Sequence, residues 1–588
     1  MDEFQKVLYN GGEDSAPSKK QKEGANMENK ISTKIIRVKA DLKYERALCT
    51  THICTDQTIS EVMEKNLCEF TPRDPILIDA QTGSGKTTAI YNFLIPYALS
   101  IQKNIFLLCN RVALSIQQKK EIMEITNSPL KDLLTEKGIR EQTIFGNVGV
   151  STYHRLPSFL KDKKNKEWCE NLAFVIADEA HFFVSDAFFN NACNYILKQF
   201  IQHFSHAVRI YLSATPWDFM YPLAKAEEKY YNDINLSYHC YSQQIPLRPR
   251  AIQHFEFPRD YSSVNLNFFR DIEEIIDLIE ANPNEKWMIF IDNMEKFSVF
   301  KNALEGKVSF LNANLKDTPI FHSLTNNQKF EEQVLITTAV LDCGVNVRDA
   351  SLKNIVVFSD DRTATIQMVG RKRLDKNEKI NVWIYDLDKQ TVWSRLSEYN
   401  EFLDLEKEYD RCDSLKRANP SNTDFRSLMF KLWKHSNPAV RELFSPHEDR
   451  LYKNDLAFYY MHKKMRFYRQ FLSGELYFRH TVEDWFNKPH SPIPCAPESL
   501  DLFYEQHSER FLGTEEQNEL RQLILGVHDQ MGYRQARTDR NNVLKHNALN
   551  SLLEKIDSPY RIESIQGYWF FVTKERVHSI FTSNQTDQ

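Results

Sequence analysis

A glycine-bearing stretch between two apolar segments carries the clearest chemistry in the chain. Residues 75–78 predict a buried strand, and residues 88–94 predict a helix. Between them, Gly83 and Gly85 let the backbone curl so that several N–H groups point at one anion, and the helix dipole adds positive charge. The stretch therefore predicts a phosphate-binding loop, whose residues are Ala80, Gln81, Thr82, Gly83, Ser84, Gly85, Lys86, Thr87 and Thr88.

Two side chains of this phosphate loop are suited to distinct tasks. Lys86 is expected to reach the β- and γ-phosphates of a nucleotide, and the hydroxyl of Thr87 is expected to bind Mg²⁺. Ala80 occupies the first glycine position of the usual pattern G-x-x-x-x-G-K-[ST]. The alternative is a chance turn rich in glycine and serine, which the flanking strand and helix patterns disfavour.

Two adjacent carboxylates follow another apolar run, after a strand predicted at residues 173–176. Ligands of open α/β sheets bind beyond the carboxyl ends of the strands, so Asp178 would face a nucleotide held by the phosphate loop. Asp178 is suited to hold Mg²⁺, and Glu179 is suited to polarise an attacking water. An Asp-Glu pair is also common at helix starts, but its position downstream of a phosphate loop favours a catalytic role.

Strand and helix patterns alternate around these residues. The predicted strands lie at residues 105–108, 145–150, 173–176, 209–212, 288–291, 334–337, 355–358 and 381–385. The predicted helices between them include residues 113–125, 187–204 and 268–281. Alternation of this kind predicts an α/β fold in which parallel sheets are covered by helices on both faces.

Further short segments follow the phosphate loop in a fixed order. Residues 178–181 have the sequence Asp-Glu-Ala-His, residues 213–216 have Ser-Ala-Thr-Pro, and residues 367–371 have Gln-Met-Val-Gly-Arg. With the phosphate loop, they make the chain similar to the superfamily 2 helicases of the DEAD/DEAH-box type, from about Ile76 to Asp386. Further segments similar to the helicase motifs Ia, Ib, IV and V are found at residues 108–114, 151–156, 287–293 and 334–346.

This resemblance implies two tandem RecA-like parallel-sheet domains, with ATP and Mg²⁺ bound between them. It gives catalytic roles to Asp178, Glu179 and Gln367. It also implies that Arg371 crosses the cleft and neutralises charge that develops on the γ-phosphate.

The second half of the motif set departs from the family pattern at one position. The family has a second arginine where this chain has Leu374, and Arg373 lies one residue earlier. Arg373 is therefore the candidate for the second catalytic arginine. Gly344, in the motif V segment, is a further candidate nucleotide-binding residue.

Composition and the resemblance divide the chain into four parts. Residues 1–30, rich in Gly, Ser, Lys, Glu and Asn, are expected to be disordered. The first RecA-like domain, which would bind ATP, is expected at residues 31–245, and the second at residues 246–395. Residues 396–588 would form an accessory and mostly α-helical region.

Two segments of the accessory region offer candidate contacts with nucleic acid. Residues 461–469 contain four Lys or Arg, no acidic residue and two aromatic residues. They suit either a strand-contacting face or a solvated helix with its apolar side in the core. Near residues 516–575, two predicted helices and a strand hairpin have the outline of a winged helix, with Arg534, Arg537 and Arg540 before the second helix. This module would either grip a duplex or only pack on the core.

Length, net charge and cysteine spacing limit the classes of protein to which the chain can belong. The 588 residues, 42% of them hydrophobic, are enough for several cores. Because the net charge is −5, nucleic-acid binding would have to rest on local basic surface. The 10 cysteines are scattered without a C-x-x-C pair, as expected of reduced thiols, and no apolar run approaches the ~20 residues that span a bilayer. A soluble cytoplasmic protein with no membrane partner is expected.

Three functions fit these motifs. The first is an ATP-dependent helicase or translocase that moves along or unwinds DNA or RNA, with a single strand in the core and a duplex at the C-terminal region. The second is a nucleic-acid-stimulated ATPase that clamps or remodels without unwinding. The third, a core that only binds, is disfavoured because the catalytic set is complete, with Lys86, Asp178, Glu179, Gln367 and Arg371.

Overall fold

Two mainly parallel sheets organise the protein in the computed structural model. The structure describes residues 31–36, 48–131, 133–238, 252–311, 318–338, 346–375, 377–418, 427–428, 430–432, 434–435, 437–447, 450–473, 476–491, 496–508, 510–530, 544–556, 558–565 and 568–574. The predicted disorder of residues 1–30 therefore lies outside the described residues.

The first sheet has nine strands in the order β1-β2-β9-β3-β8-β7-β4-β6-β5, and those from β2 to β6 in this order run parallel. Its strands are β1 (Ile31–Ile36), β2 (Leu48–Cys54), β3 (Ile76–Asp79), β4 (Asn104–Cys109), β5 (Ile144–Phe145), β6 (Val148–Thr152), β7 (Leu172–Ala177), β8 (Val208–Ser213) and β9 (Ile252–Glu256). The outer strands β1 and β5 pair antiparallel to their neighbours.

Helices connect these strands and cover the sheet. They are α1 (Ile59–Asn66), α2 (Lys86–Ala89), α3 (Ile95–Ser100), α4 (Val112–Ile125), α5 (Glu136–Glu141), α6 (Leu156–Phe159), α7 (Lys163–Glu170), α8 (Phe182–Ser185), α9 (Ala192–His203) and α10 (Met220–Tyr238). One π-helical turn, Ile90–Leu94, joins α2 to α3. Along β3, Ile76 and Ile78 enter one buried cluster and Leu77 enters another, so both faces of the sheet are covered, as predicted.

The second sheet is entirely parallel, in the order β10-β15-β14-β11-β13-β12. Its strands are β10 (Val264–Phe269), β11 (Lys286–Phe290), β12 (Val308–Leu311), β13 (Val334–Thr337), β14 (Leu352–Val357) and β15 (Ile380–Tyr385). Its helices are α11 (Ile272–Ala281), α12 (Met294–Ala303), α13 (Pro319–Asn327) and α14 (Arg362–Val369). The two sheets with their helices confirm the predicted pair of tandem RecA-like domains.

The accessory region is mostly helical, as predicted. Its first helix, α15 (Lys389–Ala418), begins before the predicted boundary at residues 395 and 396. It is followed by α16 (Pro438–Leu443), the hairpin of β16 (Phe444–His447) and β17 (Arg450–Lys453), α17 (Asp455–Ser473) and α18 (Phe478–Trp485). A last module follows, with α19 (Ala496–His507), β18 (Phe511–Leu512), α20 (Thr514–Gln530), α21 (His546–Lys555), β19 (Tyr560–Ile565) and β20 (Tyr568–Thr573).

The last module has the arrangement of a winged helix. One helix and a short strand precede two helices and a hairpin, and the sheet order is β18-β20-β19 around a separate buried core. The module begins at Ala496, about one helix before the predicted start at residue 516. Arg534, Arg537 and Arg540 lie outside the described residues.

Three predicted elements have different bounds in the structure. The strand predicted at residues 145–150 is a hairpin of β5 and β6, because Gly146 turns the chain with a left-handed φ of 64°. The helix predicted at residues 268–281 begins only at Ile272, where Asp271 and Glu274 form a capping box. The helix predicted at residues 187–204 begins at Ala192.

The link between the two domains lies later in the chain than the predicted boundary at residues 245 and 246. Strand β9 follows that boundary but lies between β2 and β3 of the first sheet. We therefore propose a boundary between Glu256, the end of β9, and Val264, the start of β10. Among the described residues, no helix is both long and apolar enough to cross a membrane.

Candidate functional site

The predicted phosphate loop connects β3 to α2. Gly83 (φ 85°) and Gly85 (φ 90°) have left-handed backbone conformations, which glycine adopts without steric strain. Together they turn the chain sharply between strand and helix, which suits a loop whose backbone N–H groups surround an anion. Ser84 and Thr88 are exposed, and Thr87 is half-buried at the start of the helix.

Lys86 lies folded over this loop. Its Nζ donates to the carbonyl oxygens of Ala80 at 2.7 Å and Gln81 at 3.1 Å. An ammonium has three protons, so a third hydrogen bond can go to a phosphate oxygen. Burial lowers the pKa of Lys86, and the carboxylates of Glu179 and Asp178 oppose that effect.

Asp178 and Glu179 follow directly after β7, at the same edge of the sheet as the phosphate loop. The backbone N–H groups on either side of Glu179 are held by neighbouring strands: Asp178 N donates to Leu108 O, and Ala180 N donates to Leu212 O, both at 2.8 Å. Between them, Glu179 has a left-handed φ of 53°. Such a strained conformation in a non-glycine residue persists only when the surroundings fix it, which is common at active sites.

Two further residues position Asp178, one through its side chain and one through its backbone. Gln118 Nε2 donates to Asp178 Oδ2 at 2.9 Å, and the Tyr153 hydroxyl donates to the Asp178 backbone oxygen at 2.7 Å. Burial, together with repulsion from Glu179, raises the pKa of Asp178 to about 7. A nearby cation would stabilise the ionised form of this buried carboxylate.

Glu179 has the opposite electrostatic environment. Burial alone would raise its pKa, but His181, Lys86 and Arg371 lower it below the ordinary value. Burial also lowers the pKa of His181, and the carboxylate of Glu179 opposes that effect. An ionised carboxylate can accept a proton from water.

Arg371 and Gln367 reach this cleft from α14 of the second domain. Arg371 donates through Nε to the Gln367 backbone oxygen at 3.0 Å and through Nη2 to Gln367 Oε1 at 2.8 Å. Gln367 Nε2 in turn lies 3.4 Å from Thr215 Oγ1, in the Ser-Ala-Thr segment of the first domain. The predicted catalytic pair of the second domain is therefore held against the first domain.

Arg373 also lies at the cleft. Its Nη1 is 3.0 Å from the position that a Cβ on Gly83 would occupy, and its Nε donates to Asn346 Oδ1 at 2.9 Å. Burial lowers the pKa of Arg373 to about 10, and repulsion from Arg371 adds to the effect. Gly344, the last predicted nucleotide-binding residue, lies outside the described residues.

The interdomain linker is tied to the phosphate loop by contacts that no sequence pattern indicates. Gln81 Nε2 donates to Asp260 O at 2.9 Å, and Asp260 N donates back to Gln81 Oε1 at 2.8 Å. Arg259 forms an ion pair with Asp79, at the end of β3. The partners in these pairs lie 179 and 180 residues apart, so only the fold brings them together.

Trp217 provides a second junction between the domains. The guanidinium of Arg259 lies 4.7 Å from the centre of its ring, and that of Arg362, the first residue of α14, lies 3.4 Å from it. Both contacts are in the range of cation–π attraction. The indole therefore joins the segment after β8 to the linker and to the second domain.

The residues at the cleft fit a nucleotide phosphate chain and a divalent cation. Within the described part of the chain, the buried atoms Thr82 Oγ1 and Glu179 Oε2 have no hydrogen-bond partner, as expected where a ligand completes the site. The hydroxyl of Thr87 and the carboxylate of Asp178 are the oxygen ligands that Mg²⁺ prefers. Among the described residues, no group of three or more His, Cys, Asp or Glu could hold a metal ion.

Comparisons with known proteins match both sheet domains. The family model "Type III restriction enzyme, res subunit" matches residues 39–218, and the model "Helicase conserved C-terminal domain" matches residues 270–373. No curated protein matches the chain in sequence.

Two solved structures resemble part of the fold. S. cerevisiae Dbp5 bound to RNA and ADP BeF3 is 15% identical, with 56% of this chain and 83% of that chain covered at a TM-score of 0.39. The DUF1998 helicase MrfA bound to DNA and AMPPNP is 14% identical, with 57% of this chain and 49% of that chain covered at a TM-score of 0.40. The two matched domain models lie in order on the two sheets, and together they indicate a superfamily 2 helicase.

Proposed function

We propose that the protein is an ATP-dependent nucleic-acid helicase or translocase of the DEAH type. The observation that carries the proposal is that Lys86 and Glu179 of the first domain share one cleft with Arg371 of the second. ATP bound there would be contacted by both domains, so its binding would favour their closed pair and its hydrolysis would release them. Repeated closing and opening with unequal grip on a strand would move the protein along it.

Each cleft residue has a specific task in the proposed hydrolysis. The phosphate-loop N–H groups and Lys86 would hold the β- and γ-phosphates. Glu179 would take a proton from the attacking water as its oxygen bonds to the γ-phosphorus and the bond to the β,γ-bridging oxygen breaks, which leaves ADP and phosphate. Arg371 would balance the negative charge that develops during this transfer, and Arg373 would act with it from its place beside Gly83.

Mg²⁺ would neutralise charge on the β- and γ-phosphate oxygens when it is bound. Thr87 and Asp178 would hold it. Gln118 donates to Asp178 Oδ2 and the Glu179 N–H donates to Oδ1 at 3.0 Å. These two hydrogen bonds would orient the carboxylate and leave one lone pair of each oxygen for the cation.

The partner we propose is DNA or RNA. The weaker helicase motifs would contact the phosphate backbone of a single strand across both domains, so binding would tolerate many sequences. The winged-helix module would bind the adjoining duplex. MrfA and Dbp5, which share part of the fold, were solved with DNA and RNA respectively.

A second candidate function has its own supporting observation. Helix α17 of the accessory region contacts the first domain through Lys463 and Asp218 and the second through Lys464 and Asp360. A bridge of this kind limits how far the cleft opens, which suits an ATPase that clamps or remodels nucleic acid without unwinding it. The same bridge uses the lysines of the predicted strand-contacting segment 461–469, so packing is the better interpretation of that segment.

A strand-displacement assay separates the two functions. Fluorescent duplexes with 3′ or 5′ overhangs of DNA or RNA would be incubated with the full chain, ATP and Mg²⁺. Displacement that requires ATP supports a helicase. ATP hydrolysis that nucleic acid stimulates, without displacement on any substrate, supports the clamp. Absence of both activities from folded protein would contradict the proposal.

We also propose that the protein works in the cytoplasm. Five cysteines in the described part of the chain are free thiols, namely Cys68, Cys109, Cys169, Cys193 and Cys412. Free thiols, four of them buried, are typical of a reducing compartment.

A further inference from the structure

Helix α17 of the accessory region crosses the junction between the two sheet domains. Two consecutive lysines of this helix form ion pairs, one with each domain. Lys463 forms an ion pair with Asp218 of the first domain. Lys464 Nζ lies 3.2 Å from Asp360 Oδ1 and 3.2 Å from Asp361 Oδ2 of the second domain. Met461 and Met465, on the buried side of α17, pack into the same core as both domains.

Asp218 is the point at which three parts of the chain meet. Asp218 is the last residue of a short 3₁₀ turn, Pro216–Asp218, which directly follows the Ser-Ala-Thr segment of the first domain. Its Oδ1 accepts from Lys463 of the accessory region, and its Oδ2 accepts from Thr363 Oγ1 of α14 at 3.0 Å. Burial alone would raise the pKa of Asp218, but Lys463 and the hydroxyl of Thr363 lower it, so the carboxylate stays ionised.

On the second domain, Lys464 binds a carboxylate that two further side chains also hold. Asp360 accepts from Lys464 Nζ at 3.2 Å, from the Tyr468 hydroxyl at 2.7 Å and from Arg395 Nη1 at 2.5 Å. Asp361 caps α14 by accepting from Ala364 N at 2.8 Å. Because Lys464 holds both carboxylates, α17 is rigidly joined to the start of α14.

Helix α14 connects this junction to the cleft. Thr363 lies in its first turn, and Gln367 and Arg371 lie at and just after its far end. At that end, Gln367 contacts Thr215, and a Cβ on Gly370 would stand 3.1 Å from Thr82 Oγ1 in the phosphate loop. A displacement of the first turn would therefore move Gln367 and Arg371 relative to the phosphate loop.

We propose that Lys463 is a positioning residue for ATP hydrolysis. By holding Asp218 against Thr363, it keeps α14 in the position that holds Gln367 against Thr215 and Arg371 at the cleft. The accessory region thereby sets the rate of hydrolysis without touching the nucleotide. This inference rests on the proposed function, because it requires that the cleft hydrolyse ATP.

Steady-state ATPase kinetics of the full chain test this role. The variants are Lys463→Met, Lys463→Arg and, as a matched control, Lys407→Met, which removes a lysine from an exposed ion pair with Asp404 on α15. Misplacement of a catalytic group by about 1 Å can cost roughly 100-fold in rate, so we expect kcat to fall by roughly 10- to 100-fold in Lys463→Met. The KM for ATP should change by less than about threefold, because the phosphate loop is intact. Lys463→Arg should recover most of the rate.

The outcomes distinguish the inference from the proposed function. Wild-type protein that does not hydrolyse ATP contradicts the proposed function itself. Wild-type hydrolysis with an unchanged kcat in Lys463→Met overturns the positioning role, as does an equal loss in Lys407→Met.

If Lys463→Met fails to fold, the isosteric Asp218→Asn variant replaces it. It should show the same loss of kcat at unchanged KM, and a wild-type kcat there overturns the inference. Thermal unfolding of each variant separates a specific loss of rate from a loss of folded protein.

Discussion

Arg373 of the second domain lies against Gly83 of the first, with its Nη1 3.0 Å from the place where a Cβ on Gly83 would stand. Gly83 is also held at a left-handed φ of 85°. Both the turn of the phosphate loop and the approach of the second domain therefore require glycine, which has no Cβ, at position 83. Substitution at this one position should disturb both the nucleotide cradle and the closure of the cleft.

Gly83→Ala is expected to weaken ATP binding by roughly tenfold or more, because a left-handed L-residue costs roughly 1–2 kcal/mol. Titration with a fluorescent ATP analogue measures the affinity. Gly146→Ala is the matched control, since Gly146 has a φ of 64° in the β5–β6 turn with nothing within 4 Å of an added Cβ. It should lower stability and leave ATP affinity unchanged. Equal affinities in Gly83→Ala and wild type would contradict the assignment of the loop.

Arg371→Ala and Arg373→Ala are both expected to reduce ATP turnover by roughly 10³-fold while ATP still binds to the first domain. Arg371 acts across the cleft and Arg373 lies beside the phosphate loop. The sequence pattern alone predicts a milder effect for Arg373, because Leu374 stands where the family has its arginine. Single-turnover hydrolysis with saturating ATP separates the rate from binding. A near wild-type rate in Arg373→Ala would favour the sequence-based expectation over the structure.

Much of the candidate site could be predicted from local sequence patterns, and the rest depends on contacts between residues far apart in the chain. The strand, the left-handed glycines and Lys86 are adjacent in the chain, so their pattern predicted the phosphate loop. The tandem RecA-like domains and the helical accessory region are confirmed, since alternating strands and helices leave few other arrangements.

The tertiary contacts could not be predicted because their partners lie far apart in the chain. Lys463 and Asp218 are 245 residues apart, and Gln81 and Asp260 are 179 apart, so no local pattern links them. Some local signals were present but not used: the capping box of Asp271 and Glu274 marks the start of α11, and Gly146 marks the turn between β5 and β6.

Asp360 should make stability depend on pH on the acid side. Burial alone would raise its pKa, but Lys464 and Arg395 lower it to about 2. A pKa below that of the unfolded chain means that the ionised carboxylate stabilises the fold above about pH 4 and that this contribution is lost as pH falls toward 2. The contribution is about 2 kcal/mol.

Thermal unfolding of Asp360→Asn between pH 7 and pH 3 tests this dependence. The unfolding temperature should lie below that of wild type near pH 7, and the difference should shrink as the pH falls below about 4. The control is Asp404→Asn, in the exposed pair with Lys407, which should change the unfolding temperature little at any pH. A difference that is constant over this pH range would mean that Asp360 is not the titrating group.

In the proposed function, Glu179 activates water for ATP hydrolysis in a cleft that nucleic acid regulates. The most direct test is the ATP turnover of wild type and Glu179→Gln with Mg²⁺, with and without single-stranded DNA or RNA. We predict that nucleic acid stimulates wild-type turnover and that Glu179→Gln loses roughly 10²- to 10⁴-fold of it while ATP affinity is retained, because the base is lost and the phosphate cradle is intact. Near-normal turnover in Glu179→Gln would contradict the role of Glu179 as the base, and no hydrolysis by folded wild-type protein with either polymer would contradict the proposed function.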